Sequence, residues 1–555
     1  MNKKVCSFPI LFALLALLIG TCAVVFPASA QAAPTATGSI TVSGTVASSY
    51  DAYQIFSSNV VDGHSDAKTA TDLAWASDAV RDAALPVLHS AGMPNSQTTA
   101  QEAAEWLNTD SHLTSALSAQ LARSLQSSGA EPVALNAGTT AELPCGYWLI
   151  VADDDAISQG EAGTAPIMAL VGGSAVTVKP KAATPKVDKH VLEDSTAAWQ
   201  KAADATVGDD LYWRLSATVP AGLTAYDTYA VQFVDTMSAG LDPSRVAASV
   251  RVYVAAGSDG GFDAVSAGKD GRAGTDPAKG WTDITAQCAT KVAADGTFTV
   301  RTGDLIAALG GADAFTAGAR VVAVYNAPLN SACNHGIAKG NPNQVYLRYP
   351  RSPLVDQSGD AGFARTPSDD ACAYTWDLAL TKRGSDGDKP LAGAVLSIAD
   401  DRGRTLAADG TWDAEGKATV TTGEDGRVTV SGVDSGKLEV RELKAPKGYT
   451  AFEGTRSVTV KAEGLDVDQV AAAKPKLTIT AESPLRADNA DGSTGSLEAS
   501  LINTPTGTPP SITTGGFMPS TGDMAMYAAA AAAVAGAALI VVALLVKRGG
   551  GSHKE

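Results

Sequence analysis

The chain has 555 residues and a formal net charge of −17 at pH 7, and this length predicts three or four domains. The acidic balance argues against nucleic acid as a partner, because nucleic-acid binding needs a basic surface. With 18% charged and 6% aromatic residues, the composition instead suits a polar surface outside the cell.

The N-terminus has the three-part pattern of a secretory signal peptide. Lys3 and Lys4 precede an apolar run over residues 8–25, and the small residues Ala28 and Ala30 follow it. A basic start, an apolar core and a small-x-small cleavage site together mark a segment that is removed on export. We therefore predict a signal peptide at residues 1–30, with an uncleaved N-terminal membrane anchor as the alternative.

The first predicted domain covers residues 33–179 and combines strands with helices. Most of it alternates apolar and polar residues over short runs, which is typical of strands. Residues 67–127 depart from that pattern, because they are rich in Ala and Leu at helical spacing. We therefore predict helices that are added to a β scaffold.

The sequence "VTVKPKAATP" forms the joint after this domain. Val176 and Val178 alternate inward as in a strand, and Lys179 and Lys181 follow on either side of Pro180. Because Pro180 keeps the residue before it extended, we expect Lys181 to point outward between two domains. The alternative is a basic linker without a specific role.

The second predicted domain covers residues 184–355 and again consists of short strands. Residues two apart in a strand share a face, and this spacing puts Lys189 in phase with Val191 and Asp235 in phase with Phe233. An isolated buried charge is costly. We therefore expect both charged side chains to meet partners in the core.

Four cysteines remain once the signal peptide is removed: Cys145, Cys288, Cys333 and Cys372. Disulfides persist outside the cell, although spacing alone does not fix their pairing. Cys288 with Cys333 is the expected bridge, because both lie in the second predicted domain. Neither the cysteines nor the six scattered His have the spacing of zinc ligands, so we predict no metal site and no cofactor.

The third predicted domain covers residues 372–505, and several of its strands direct a polar residue toward the apolar face. Lys382, Glu442 and Asn503 continue the apolar alternation on the first, a middle and the last strand. Because buried polar groups need partners, we expect the three side chains to meet one another.

Such a meeting has a chemical consequence. Burial lowers the pKa of an amine and raises that of a carboxyl group, which favours their neutral forms. A neutral Lys382 could then attack the carboxamide of Asn503, while Glu442 acts as the acid that moves the proton. The product is an intramolecular isopeptide bond with loss of ammonia. A buried salt bridge with an amide partner is the alternative.

The C-terminus holds a segment that is long enough to cross a membrane. A Thr/Pro/Gly linker at residues 506–517 precedes a short motif at residues 518–522 and an apolar run at residues 526–546. About twenty apolar residues span a bilayer, and a basic tail at residues 547–555 holds the end on the cytoplasmic side. We therefore predict a transmembrane helix over residues 526–546.

The motif Met518-Pro519-Ser520-Thr521-Gly522 resembles the LPxTG cell-wall sorting signal of Gram-positive surface proteins, with Met in place of Leu. The resemblance implies that a sortase cuts after the threonine and transfers it to an amine, which makes the membrane helix a transient tether. An ordinary linker before a permanent anchor is the alternative.

The third domain resembles the prealbumin-like, collagen-adhesin B-type domain of sortase-assembled pilins. "LEVRELKAPKGY" is similar to the E-box of these pilins, and "LTKRGSDGDKPLAGAVLSI" and "LINT" resemble the first and last strands of the domain. The resemblance implies that Lys382 and Asn503 form the bond and that Glu442 is the catalytic residue.

The other domains resemble those pilins as well. "TGSITVSGTVASSYDAYQIF" and "LPCGYWLIVADD" resemble strands of the N-terminal pilin domain, and "AVTVKPK" resembles the pilin motif, which implies Lys181 as the nucleophile. "GNPNQVYLRYPRSP" resembles the end of the second pilin domain, but the expected Asn is missing. Asn343 and Asn326 are in phase to replace it as partner of Lys189, but the missing Asn favours a noncovalent cluster of Lys189, Asp235 and Arg351 over a second bond.

The strand patterns predict a mainly β protein of tandem Ig-like or prealbumin-like sandwiches. The resemblances imply that it is the backbone pilin of a sortase-assembled fimbria on a Gram-positive cell wall. Thr521 of one subunit would be joined to Lys181 of the next. The expected partners are other subunits, pilus-class and housekeeping sortases and peptidoglycan, with host surface ligands left open. The chain is expected to catalyse only its own bond. The alternative is a monomeric wall-anchored adhesin or a minor pilin.

Overall fold

Strands are the commonest regular element of the described residues, and the fold is mainly β as the sequence predicts. The computed structural model describes residues 36–63, 67–109, 111–181, 184–221, 223–257, 280–336 and 338–507. The predicted signal peptide, sorting motif, membrane helix and basic tail lie outside these residues, as does the linker from residue 508 onward. Within the described ranges, no helix is both long and apolar enough to cross a membrane.

The first domain packs helices and a small sheet on opposite faces of a larger sheet. Its elements are β1 (Thr37–Val42), β2 (Ser49–Asp62), β3 (Lys68–Trp75), α1 (Asp78–Ser90), α2 (Ala100–Asn108), α3 (Ser115–Ser127), β4 (Val133–Asn136), β5 (Thr140–Pro144), β6 (Gly146–Ala152), β7 (Ile167–Val171) and β8 (Val176–Val178). The larger sheet has the order β3-β2-β6-β7 with β4 on β2, and the small sheet has the order β5-β1-β8. Each face of the larger sheet has its own apolar cluster, one with the helices and one with the small sheet.

The helices of this domain form in the Ala/Leu-rich stretch, where the sequence predicts them. α2 begins with a capping box, in which the Thr99 hydroxyl accepts a hydrogen bond from the backbone N–H of Glu102 at 3.2 Å. The Glu102 carboxylate accepts one from the backbone N–H of Thr99 at 2.9 Å. Ser77 and Thr114 cap α1 and α3 in the same position. These caps satisfy backbone donors that have no partner inside the helix.

The second domain is a sandwich of two sheets around one core. Its elements are β9 (Val187–Glu193), β10 (Ala198–Gln200), β11 (Ala202–Asp204), β12 (Tyr212–Thr218), β13 (Gln232–Met237), α4 (Val246–Ser249), β14 (Arg251–Ala255), β15 (Trp281–Asp283), β16 (Ala289–Val292), β17 (Thr297–Arg301), α5 (Leu305–Ala308), β18 (Arg320–Asn326), β19 (Asn341–Pro350), β20 (Phe363–Arg365) and β21 (Asp369–Tyr374). One sheet has the order β10-β9-β12-β18-β14-β15. The other has the order β11-β21-β19-β13-β17-β16, with β20 on β19.

The border between the second and third domains differs from the sequence prediction. The sequence places it between residues 355 and 372, in a Pro- and Gly-containing stretch. In the structure, β20 and β21 both pair with β19, so residues 363–374 complete the sheet of the second domain. The Pro- and Gly-containing residues form a loop inside that domain, and the third domain begins at Trp376 with its first strand.

The third domain is a second sandwich. Its strands are β22 (Trp376–Gly384), β23 (Val395–Ala399), β24 (Thr405–Leu406), β25 (Trp412–Asp413), β26 (Val420–Thr421), β27 (Arg427–Val433), β28 (Gly436–Lys444), β29 (Tyr449–Thr450), β30 (Thr455–Glu463), β31 (Lys476–Ala481), β32 (Leu485–Asp491) and β33 (Ser496–Pro505). One sheet has the order β27-β22-β33-β29 with β32 on β33, and the other β25-β24-β23-β28-β30-β31 with β26 on β23. The first and last strands, β22 and β33, are therefore parallel neighbours.

The predicted bridge between Cys288 and Cys333 is not formed, because all four cysteines of the described residues are free thiols. The Cys288 thiol donates to the Ile284 carbonyl at 3.3 Å, whereas Cys333 lies in the loop before β19, next to Gly240. Membership of one domain does not give two thiols the geometry of a disulfide. Burial raises the pKa of both thiols to about 11, so they stay protonated.

Candidate functional site

Lys382, Glu442 and Asn503 come together in the core of the third domain. Lys382 on β22 lies opposite Leu501 on β33, and Asn503 is two residues further along the same face. Glu442 reaches them from β28 in the facing sheet. The side chains of Lys382 and Glu442 are fully buried, and Asn503 is 2% exposed. The apolar residues in phase with each of them direct these strand faces into the core.

The Glu442 carboxylate lies between the amine and the carboxamide. Its Oε1 is 3.4 Å from Lys382 Nζ, and Asn503 Nδ2 donates to Oε1 at 2.9 Å and to Oε2 at 3.0 Å. Lys382 Nζ also donates to the Leu501 carbonyl at 3.3 Å, and the Phe452 backbone N–H donates to Glu442 Oε2 at 3.1 Å. The carbonyl oxygen of Asn503 is buried without a hydrogen-bond partner. One carboxylate can therefore exchange protons with both nitrogens.

The electrostatics of this cluster favour a reactive amine. Burial lowers the pKa of Lys382 to about 8, and the charge of Glu442 opposes part of that shift. At neutral pH about a tenth of such amines carry no charge, against fewer than about one in a thousand for an exposed lysine. The uncharged form is the nucleophile.

A second cluster forms in the core of the second domain. Lys189 comes from β9, Asp235 from β13, Tyr325 from β18 and Asn343 from β19, so both sheets contribute. Lys189, Asp235 and Asn343 are fully buried, as is Tyr325. Tyr325 is a member of the cluster that the strand-phase reasoning missed.

The Tyr325 hydroxyl connects the other members of this cluster. Lys189 Nζ donates to it at 2.9 Å and Asn343 Nδ2 at 2.8 Å. The hydroxyl donates to Asp235 Oδ2 at 3.0 Å, and the Lys189 amine also contacts that oxygen directly. A hydroxyl has one proton and two lone pairs, so these contacts use its full hydrogen-bonding capacity.

Two buried oxygens of this cluster have no hydrogen-bond partner, Asp235 Oδ1 and Asn343 Oδ1. Asn343 lies opposite Met237 on the neighbouring strand, which puts Asp235 and Asn343 diagonally on one face. Burial raises the pKa of Asp235 and lowers that of Lys189, which favours the neutral acid and the neutral amine. A protonated Asp235 could donate to the carbonyl of Asn343 and so satisfy both oxygens.

The remaining candidates of the second domain lie elsewhere. Asn326 accepts from the Leu211 backbone N–H at 3.1 Å and donates to Asp210 at 2.7 Å, so its amide is already used. Arg351 donates to the Asp154 carbonyl in the first domain at 3.1 Å. The expectation of a noncovalent cluster that includes Arg351 is therefore wrong, because its guanidinium is engaged at the joint between the first two domains.

The structure brings no other predicted site residue to these clusters. Lys179 and Lys181 are both exposed after the end of β8. Met518, Pro519, Ser520, Thr521 and Gly522 lie outside the described residues. Among the residues that the structure describes, no group of His, Cys, Asp and Glu side chains is arranged to hold a metal ion.

Part of the third domain is similar to a known protein family. Residues 377–474 match the family model described as the SpaA prealbumin-like fold domain. Over 175 residues the chain is 29% identical to the trypsin-resistant surface T6 protein of Streptococcus pyogenes serotype M6. That alignment covers 30% of this chain and spans 30% of the relative's length.

Solved structures give weaker likenesses over more of the chain. The T6 backbone pilin of serotype M6 Streptococcus pyogenes aligns with 86% of this chain and all of its own, at 17% identity and a TM-score of 0.47. The full-length major pilin SpaD of Corynebacterium diphtheriae also aligns with 86% of this chain and all of its own, at 15% identity and a TM-score of 0.40.

Proposed function

We propose that the chain is the shaft subunit of a covalently polymerised pilus on a Gram-positive cell surface, braced by an internal bond between Lys382 and Asn503. The observation that carries the proposal is the buried contact of an amine, a carboxyl and a carboxamide in the third domain. The match of residues 377–474 to a prealbumin-like family and the similarity to a surface protein support it.

The geometry supports a complete path for bond formation. The Glu442 carboxylate takes one proton from the Lys382 ammonium, and the neutral amine attacks Cγ of Asn503. Glu442 then gives its proton to Nδ2, which leaves as ammonia, and takes the second proton from Nζ. An amide, ammonia and a protonated Glu442 result. The positions of the three groups replace an external enzyme, because both reactants are held against one carboxyl group in a buried core.

We propose a second bond of the same kind between Lys189 and Asn343, assisted by Asp235. The support is the contact of both reactants with one hydroxyl and the pair of unpartnered oxygens on Asp235 and Asn343. A protonated Asp235 that donates to the Asn343 carbonyl would polarise it toward attack. Asn326 is not proposed as the partner, because its amide already binds Leu211 and Asp210.

The link between subunits is proposed to join Thr521 of one chain to Lys181 of the next. Lys181 is exposed after the last strand of the first domain, as an attacking amine requires. The partners are other copies of the chain, a pilus-class sortase that makes the link, and a housekeeping sortase that attaches the finished fibre to peptidoglycan. The membrane helix would hold the chain only until cleavage, and the chain would have no enzymatic activity on other molecules.

Intact mass of the purified mature chain tests the internal bonds, because each one removes one ammonia. We expect two ammonia losses in the unaltered chain, and one in Asn503→Ala or in Asn343→Ala. An unaltered chain at its full sequence mass would refute both bonds.

Electrophoresis of wall extracts under denaturing conditions tests the polymer. We expect a ladder of covalent multimers that persists in Lys179→Ala and is lost in Lys181→Ala, with the monomer still on the surface. An unchanged ladder in Lys181→Ala would mean that another lysine is the nucleophile. A single band from the unaltered strain would favour a monomeric wall-anchored adhesin or a minor pilin instead.

A further inference from the structure

The two clusters differ in how the carboxyl group reaches the leaving nitrogen. In the third domain both oxygens of Glu442 accept hydrogen bonds from Asn503 Nδ2. In the second domain the amide nitrogen of Asn343 donates to the Tyr325 hydroxyl at 2.8 Å. That hydroxyl in turn donates to Asp235 at 3.0 Å. In the second domain the Tyr325 hydroxyl therefore lies between the carboxyl group and the amide nitrogen. In the third domain the longer side chain of Glu442 contacts the amide nitrogen directly.

We infer that Tyr325 is a catalytic residue of the second isopeptide bond and relays a proton from the Lys189 amine to the departing nitrogen of Asn343. The inference rests on the proposed bond between these two residues. It extends that proposal by assigning the proton transfer to an atom that touches both reactants.

The relay balances in protons. Asp235 takes one proton from the Lys189 ammonium, and the neutral amine attacks Cγ of Asn343. The Tyr325 hydroxyl gives its proton to Nδ2, which leaves as ammonia, and recovers a proton from Nζ. The products are an amide, ammonia, a protonated Asp235 and an unchanged tyrosine.

The surroundings of Tyr325 suit this role. Burial and the neighbouring Asp235 charge raise the pKa of Tyr325, so the phenol is protonated when the amine attacks. Phe298 packs edge-on against the ring with the centroids 4.5 Å apart, which fixes the position of the hydroxyl. Lys189 Nζ lies 5.4 Å from the ring centroids of both Tyr325 and Trp213. The Trp213 ring and the hydrogen bond to the Tyr325 hydroxyl therefore hold the amine in place.

The test compares Tyr325→Phe with Tyr349→Phe in the full mature chain. Both substitutions remove one buried hydroxyl from the same domain, but the Tyr349 hydroxyl donates to the Glu161 carbonyl, away from the cluster. Each chain is made by cell-free synthesis and sampled over time by intact mass and by sequencing of the cross-linked peptides. Ammonia loss from the third domain serves as the internal clock.

We expect the second bond to close at least about 100-fold more slowly in Tyr325→Phe, the lower end of what a general acid–base contributes. Tyr349→Phe should close at the unaltered rate. Closure of Tyr325→Phe at the unaltered rate would overturn the relay and leave the proposed bond standing. If the unaltered chain loses a single ammonia and Asn343→Ala changes nothing, the bond and the relay both fall.

A rescue variant separates catalysis from folding. In Tyr325→Phe, the further change Asp235→Glu lengthens the carboxyl side chain by one methylene, as in the third domain. We expect the double variant to recover closure at least tenfold over Tyr325→Phe. Thermal unfolding of the second domain shows whether the double variant is folded. If it is folded and the second bond still does not form, the hydroxyl does not act by bridging the gap between Asp235 and the Asn343 nitrogen.

Discussion

The two clusters hold the same reacting groups but occupy different places in their domains. In the third domain the proposed bond joins β22 to β33, which are the first and last strands and parallel neighbours. In the second domain Lys189 is on the first strand, but Asn343 is at the start of β19, and β20 and β21 follow it. The proposed bond would therefore close the third domain almost completely, whereas residues 344–374 of the second domain would lie outside its loop. The position of the pair in the topology, more than its chemistry, decides what a pulling force can extend.

The largest expected effect is on extension under force. In the unaltered chain, pulling should release at most residues 344–374 of the second domain, which is about 100 Å at roughly 3.3 Å per extended residue. The third domain should release almost nothing. In Asn343→Ala the second domain should unfold from residue 190 to residue 374, about 600 Å. Single-molecule stretching of the mature chain measures both lengths.

The control is Asn326→Ala, which removes a core amide of the same domain without touching Lys189. It should keep the short extension, although the domain loses the hydrogen bonds to Leu211 and Asp210. A short extension in Asn343→Ala would show that the second domain has no covalent brace at that residue.

Strand phase predicted the third-domain cluster better than the second. Lys382, Glu442 and Asn503 each continue an apolar alternation, and all three are buried in contact. The phase rule works here because first and last strands are neighbours and a polar residue on the core face needs a partner. It did not choose between Asn343 and Asn326, because both lie on core-facing positions and only tertiary contacts distinguish them.

Strand phase and local periodicity did not predict three other features of the second domain: the role of Tyr325, the pairing of residues 363–374 and the free state of two cysteines. Tyr325 follows Val321 and Ala323 on the core face, and a buried phenol needs a hydrogen-bond partner, which is the signal that could have found it. The pairing of residues 363–374 with β19 is a long-range contact that no local periodicity encodes. The same holds for Cys288 and Cys333, whose separation depends on how loops pack.

Stability of the third domain is the next effect in size. Glu442→Gln keeps the side-chain volume but removes the group that accepts the proton, so the bond should not form. The closed loop of roughly 120 residues between Lys382 and Asn503 would be opened, and the free energy of unfolding should fall by about 5 kcal/mol. Urea unfolding, with intact mass as the check on the bond, measures this.

Glu439→Gln is the matched control, because Glu439 lies on the same strand but on the exposed face, beside Lys437. Exposed ion pairs contribute at most about 1 kcal/mol, so this variant should keep both its bond and its stability. Equal losses in the two variants would mean that charge on the strand, and not closure of the loop, stabilises the domain.

The smallest expected effect is on how the free energy of unfolding depends on pH. It distinguishes a third domain with the Lys382–Asn503 bond from one without it. In Asn503→Ala the bond cannot form, and Lys382 remains a buried amine beside Glu442. Burial lowers the pKa of Lys382 to about 8 in the folded chain, whereas the unfolded chain has the ordinary value near 10.4. Between these values the unfolded state binds more protons, so the free energy of unfolding should rise with pH, by about 3 kcal/mol in all. Below pH 8 this stabilisation is absent.

Other groups also titrate in this range, so the measured quantity is the difference between Asn503→Ala and the same variant with Lys382→Met added. That difference should grow from about pH 8 to pH 10.5 and stay constant at lower pH. The unaltered chain should not show this contribution, because an acylated Lys382 no longer binds a proton. If the unaltered chain shows the same rise, its Lys382 is a free amine and the cluster is a salt bridge.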